Sequence, residues 1–306
     1  MELPELPLKE WEQTKMTLHL FMQIVGKIKL KKMPRKNHWW NITLHINAVG
    51  ITSNTIINGP DAFEVQFNFI KHIVEVTTSK GEYESFPLQD GLSVAEFYNQ
   101  LMAILKKLNI EVHILNRPYS LPDNNPITTP FDQLTQYASY DTDYVERFWK
   151  IMLWVNGVFT EFAGRFYGKT CPVQLYWHHM DLTVTRFSGK RLQLTEGMSI
   201  PNKDAYSHEV ISFGFWVGDE NVPAPAFYSY TYPPPAGLEK TVLEPSTAKW
   251  DMSSGTPMAL LMYDDIRTAD DPSKPLLDFL ESAYTNGATL AGWKIEELKV
   301  PNLAEL

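Results

Sequence analysis

Apolar residues recur along this chain at two spacings, and the spacings alternate in blocks. Four stretches carry them three to four residues apart, as one face of a helix requires; several shorter stretches carry them at every second position, as a strand requires. Over residues 11–30, Trp11, Leu18, Phe21, Met22 and Val25 fall near helical spacing, with Gly26 as an expected break and Pro34 as a stop. Residues 38–48 alternate, placing Trp40, Ile42, Leu44 and Ile46 on one face and Trp39, Asn41, Thr43 and His45 on the other. Strands are then expected over 51–57, 63–69, 73–78 and 83–88, the last two joined by the Ser79-Lys80-Gly81-Glu82 hairpin loop. Ser93 with Glu96 three residues on forms a capping box for a second helix, striped by Phe97, Leu101, Leu105 and Leu108. Residues 111–115 read as a closing strand.

A third helix is expected over 143–167, with Phe148, Met152, Val155, Phe159 and Phe162 in register. The stretch from Pro172 to Arg191 then reads as one long strand. Its alternation sets Trp177, His179, Asp181, Thr183 and Thr185 against His178, Met180, Leu182, Val184 and Arg186. Strands over 208–217 and 227–232 follow, then a proline-rich loop and the stretches 249–252 and 257–263, and a last helix over 273–290. Tyr228, Tyr230 and Tyr232 share one face of their strand.

The order helix, strands, helix is therefore written twice, which gives an α+β fold class with largely antiparallel sheets covered by helices. Internal duplication is expected on fixed landmarks: Gly26-Lys27 with Gly168-Lys169, Asn41–Leu44 with Asp181–Val184, and Ala62-Phe63 with Ala226-Phe227. The expected domains are a first repeat over 1–120, a proline-rich linker over 121–140 and a second repeat over 141–306. If the strands around Asn41 and Asp181 occupy different places in their sheets, that alignment fails.

Charge narrows the partners. The net charge of −9 lacks the basic footprint that phosphate backbones require, so no nucleic acid is expected. No apolar run approaches the ~20 residues of a membrane span, and the acidic, proline-broken start differs from a secretory signal. Cys171 is the only cysteine, which excludes an internal disulfide and a cysteine-based metal site. A cytoplasmic protein is the expectation. Neither a cofactor nor an oligomeric state is indicated.

Several stretches together resemble an uncharacterised bacterial family, a domain of unknown function. They include Asn37-His-Trp-Trp-Asn41, Thr185-Arg-Phe-Ser-Gly189, Ala205-Tyr-Ser-His-Glu209, Gly214-Phe-Trp216 and Pro225-Ala-Phe-Tyr228. The resemblance spans nearly the whole chain, implies a single-family protein and brings no known activity. It also implies small residues at the positions of His178 and His179, where this chain departs.

Candidate chemistry collects in the second half. Asp181, His208 and Glu209 are the expected acid/base groups of an enzyme acting on a small polar or aromatic metabolite. Trp39, His45, Trp177, Arg186 and Tyr206 are the expected substrate-binding groups of an aromatic-lined cleft between the repeats. The alternative is a non-catalytic protein that binds a ligand or another protein. Convergence of these polar groups in one concave pocket favours the enzyme; a broad exposed aromatic patch favours the alternative. No metal is expected at His178 and His179, because neighbours on a regular strand face opposite ways. Arg186 and Glu209, each ending an apolar strand face, are expected to meet at the core's rim and pair.

Overall fold

The computed structural model describes residues 3–119, 127–193 and 196–301. Helix α1 (Leu8–Lys32) runs unbroken through Gly26. There follow a single 3-10 turn (Asn37–Trp39) and six short strands, β1 (His45–Asn47), β2 (Gly50–Thr52), β3 (Ile56–Asn58), β4 (Asp61–Asn68), β5 (Ile73–Thr78) and β6 (Tyr83–Pro87). Helix α2 (Val94–Lys107) closes the first half, and its Ser93–Glu96 capping box forms as expected, the Ser93 hydroxyl accepting from the Glu96 amide. The second half holds α3 (Thr142–Gly164), β7 (Gln174–Tyr176), β8 (Asp181–Arg191), the short α4 (Ile200–Ala205), β9 (His208–Trp216), β10 (Ala226–Tyr232), β11 (Lys249–Asp251), β12 (Met258–Met262) and α5 (Ser273–Leu290).

Both sheets are antiparallel, confirming the α+β class. The first has the order β1-β2-β4-β5-β6, with β3 paired to β4; the second has β11-β12-β10-β9-β8-β7. They touch edge to edge where Leu44 and Leu175 exchange backbone hydrogen bonds of 2.9 and 2.8 Å. Helices α1 and α2 cover the first sheet, with the Phe21, Phe97 and Phe67 rings stacked between them. Helices α3 and α5 cover one face of the second, hereafter its back face: Val184, Phe213 and Phe215 are fully buried there, and Phe162 of α3 meets Phe213 edge-on.

The landmarks proposed for a duplication do not coincide. Asn41–Leu44 precedes the first strand of its sheet, whereas Asp181–Val184 opens the second strand of the other. The expected strand over 38–48 shrinks to three residues because His38 and Trp39 both take left-handed backbone conformations, φ 56° and 59°. The closing strand expected over 111–115 is irregular chain. The expected linker lies in part, at 121–126, outside the described residues. Its remainder packs closely: Phe131 and Leu134 are fully buried, and the Ala95 amide donates to the Leu134 carbonyl.

The long strand expected from Pro172 is two strands divided by a tight turn at 177–180. The Met180 amide donates to the Tyr176 carbonyl at 2.9 Å, and Met180 sits at φ 58°. Gly26 does not break α1. A Cβ there would stand 2.3 Å from the Trp177 ring, so the absent side chain lets the turn lie against α1. Gly168 likewise makes room for Phe166 and Leu298.

Candidate active site

The front face of the second sheet is left open by α3 and α5, which pack on the back face. Asp181, Thr183 and Thr185 of β8, Ser212 of β9 and Tyr228 and Tyr230 of β10 line a cleft there, about 1140 Å³ in volume. The alternation expected for β8 and β10 thus holds, and the polar face with its tyrosine row is the floor of a concavity. Its roof comes from the Asn37–Trp39 turn and α4. The Trp39 indole N–H donates to the Pro201 carbonyl at 3.0 Å, and His38 contacts the Ala205 carbonyl at 3.1 Å. Trp216, Tyr206 and Trp40 add aromatic walls. Among the described residues, three of the six non-glycine residues with positive φ, His38, Trp39 and Met180, belong to the turns that bound this cleft. Such conformations cost of order 1–3 kcal/mol each and cluster where a site is held in shape.

Asp181 is the chemical centre of the floor. The Tyr228 hydroxyl donates to its Oδ2 at 2.6 Å, while Oδ1 is buried without a hydrogen-bond partner among the described residues. That bond depends on Gly214, whose place in β9 lies between Thr183 and Tyr228. A Cβ there would stand 2.2 Å from the Tyr228 ring, so the ring lies across β9 to reach a carboxyl two strands away. Burial raises the Asp181 pKa above the usual aspartate range, opposed by nearby His179 and by the Tyr228 hydrogen bond. Burial also drives the Tyr228 and Tyr230 hydroxyls well above theirs, so both stay protonated donors.

A pH dependence follows. Between the unfolded and the raised folded pKa, the folded state holds the Asp181 proton and the unfolded state does not. The unfolded state then binds fewer protons, so this group's contribution to stability falls as pH rises. Asp181→Asn removes the ionisation. Unfolding free energies compared across pH should show the variant gaining on the native chain as pH climbs from about 3.9, the unfolded value, towards neutrality. A difference that stays flat with pH refutes the raised pKa.

His38 is a neutral imidazole. Its Nε2 faces the Lys169 ammonium at 2.9 Å and must accept, so Nδ1 carries the proton and donates to the Ala205 carbonyl. Burial, chiefly, and Lys169 lower its pKa. Lys169 itself stands over the Phe187 and Trp40 rings, 4.6 and 5.4 Å from their centroids. Nothing in the sequence pattern joined Lys169 to His38; they meet because the chain after α3 returns along β8.

The expected residues divide sharply. Asp181, Trp39 and Tyr206 line the cleft. Trp177 borders it but is a packing residue, 3% exposed, whose indole N–H donates to the Ile42 carbonyl at 3.0 Å. His45 lines a separate, smaller cavity. His208 pairs with Arg191 at the far end of β8 from Asp181. Because β8 is bulged between Phe187 and Arg191, the separation is counted along β9: His208 lies seven residues from Phe215, the partner of Leu182, roughly 23 Å at about 3.3 Å per residue, too far for Asp181 and His208 to act on one reacting bond. Glu209 is on the back-face side of β9, where it accepts from the Ser188 hydroxyl at 2.7 Å and stands 3.7 Å from Lys190.

Arg186 does not pair with Glu209. It is 1% exposed on the back face, 3.5 Å from the centre of the Phe162 ring and 4.4 Å from that of Tyr284. It donates to the Phe162 carbonyl at 2.6 Å and faces Glu281 of α5 at 3.5 Å. The expected charge-at-a-rim role fails because α5 supplies both a carboxylate and an aromatic wall above it.

The reason given against shared metal binding by His178 and His179 also fails, because the pair sits in the turn and not on a strand. Their ring centroids are 4.5 Å apart. Among the described residues no group of three or more His, Cys, Asp and Glu side chains is arranged to hold a metal ion. No described helix is long and apolar enough to cross a membrane.

No curated protein and no solved structure matches this chain. The profile of a family described as "Family of unknown function (DUF5996)" matches residues 3–300, and the chain belongs to that family.

Proposed function

We propose that the front-face cleft binds a small polar molecule with an aromatic or otherwise flat portion, and that Asp181 exchanges a proton with it. One observation carries this reading: Asp181 lines the aromatic-walled cleft, and its buried Oδ1 has no hydrogen-bond partner among the described residues. Buried polar atoms are nearly always hydrogen-bonded, and a solitary one in a concavity is suited to a ligand. A carboxyl whose pKa is raised towards working pH is matched to both halves of a proton transfer. Tyr228 fixes Oδ2 and so directs Oδ1; Trp39 and Tyr206 offer ring faces to the flat portion.

Binding without turnover is the second reading. It is favoured by His38, whose two ring nitrogens are both engaged and so give Asp181 no ready proton partner. The two readings separate in one experiment. The purified full chain is equilibrated with a small-molecule extract, washed, and its retained compounds are identified by mass spectrometry. The native chain should retain a compound that Asp181→Asn and Trp39→Ala hold at least about 10-fold more weakly, the scale of one hydrogen bond to a charged group. Chemical change of that compound by the native chain, absent in Asp181→Asn, establishes the enzyme; retention without change establishes the binding protein. Equal retention by all three chains refutes the cleft as the site.

A further inference from the structure

The turn that roofs the cleft has a second cavity behind it. This cavity is about 350 Å³, and Trp40 lines both. Its wall is mostly polar, from Lys29, Lys36, Asn41, His45, Thr55 and Glu64. Lys29, near the end of α1, is only 4% exposed, and its ammonium donates to the Thr43 carbonyl. Among the described residues no carboxylate comes within ion-pair distance of it; Glu64 raises its pKa only from farther off. A buried ammonium is ordinarily paired, because leaving water costs several kcal/mol that one carbonyl offsets poorly.

The other charges around the cavity deepen the imbalance. Lys36 brings a second cation to the wall. His45 is held neutral, its pKa lowered to about 4 by burial first and then by Lys29 and Lys36. The single carboxylate in the wall, Glu64, accepts from the Thr52 hydroxyl at 2.5 Å. Two cations against one engaged carboxylate leave the cavity net positive, with amide and hydroxyl donors from Asn54 and Thr55 at its edge.

We propose that this cavity is a binding site for a small oxyanion of the phosphate class, held between Lys29 and Lys36. A tetrahedral oxyanion presents several acceptors to two ammonium groups and short polar side chains, and it supplies the charge that Lys29 lacks. This site is independent of the reading given for the cleft, since none of its cations lines the cleft floor. Burial and Lys36 bring the Lys29 pKa down to about 8, so affinity should weaken as pH rises through that value.

The test is calorimetry and thermal unfolding of the full chain titrated with inorganic phosphate, in an oxyanion-free buffer with ionic strength held by chloride. The expected result is saturable binding with a rise in unfolding temperature, weakened at least 10-fold in Lys36→Ala. Lys36 is exposed, so that variant keeps the fold. Lys29→Met, where it folds, should abolish binding. Acetate and citrate in place of phosphate distinguish a carboxylate site from a phosphate one, and tighter binding of either overturns the assignment to the phosphate class. An unchanged phosphate affinity in Lys36→Ala, or no saturable binding by the native chain, overturns the site.

Discussion

Replacing Trp177 by alanine should cost about 3–5 kcal/mol of stability, the usual range for emptying a buried tryptophan site. The indole fills the space that Gly26 leaves on α1, and its N–H satisfies the Ile42 carbonyl. Its own carbonyl accepts from the buried imidazole of His19 at 2.8 Å. The residue therefore ties α1, the chain leading into β1 and the turn before β8 to one another. Truncation opens a cavity, strands a carbonyl and loosens the turn that aims Asp181. Trp39→Ala is the matching control: its ring is half-buried on the cleft roof, and its loss should cost less than about 1 kcal/mol. Chemical unfolding of the two variants side by side decides between a packing and a ligand-binding tryptophan. Equal losses would contradict the division of roles drawn here.

Gly214→Ala should be the most damaging single-methyl change to the site. The added Cβ meets the Tyr228 ring at 2.2 Å, and the ring cannot lie across β9 with that carbon present. Overpacking of this kind costs about 1–3 kcal/mol. The larger consequence is local, because a displaced Tyr228 releases Oδ2 of Asp181 and fills part of the cleft. Ligand retention should vanish while the circular dichroism of the sheet persists. Tyr228→Phe separates the two effects, since it deletes the hydrogen bond and keeps the ring in place. If Gly214→Ala matched the native chain in both stability and retention, the Tyr228–Asp181 arrangement would be wrong.

Much of this fold could be read from the order of residues, and the misses have physical causes. Helix α5 has the expected ends because its apolar stripe is unbroken and proline stands at its entrance. The cleft-facing side of Asp181 could be read because Thr183 and Thr185 follow it on the same strand face and mark a polar surface. The turn at 177–180 was not, since Trp177, His178, His179 and Met180 include no glycine, proline or asparagine to mark it, and it shows only in the backbone, with Met180 at positive φ. Glu209 was misassigned for want of a register. Leu182 pairs with Phe215, and this puts the face of Glu209, Ile211, Phe213 and Phe215 behind the sheet, away from Asp181. Arg186 was misread because periodicity shows that a face is covered but not by which helix, and Glu281 lies far along the chain.

The roles given to Gly26 and Gly214 share one logic. Neither has a positive φ; each is where an aromatic ring needs the volume of a side chain. A glycine amid a helical or strand pattern therefore reads as well for close approach as for a break, and only the partner ring tells them apart.

The most direct test of the account is the structure of the full chain with its retained compound bound. A polar atom of that compound should lie within about 2.6–3.2 Å of Asp181 Oδ1, with its flat portion against Trp39 or Tyr206. A compound seated away from Asp181, with Oδ1 still unpartnered, would contradict it.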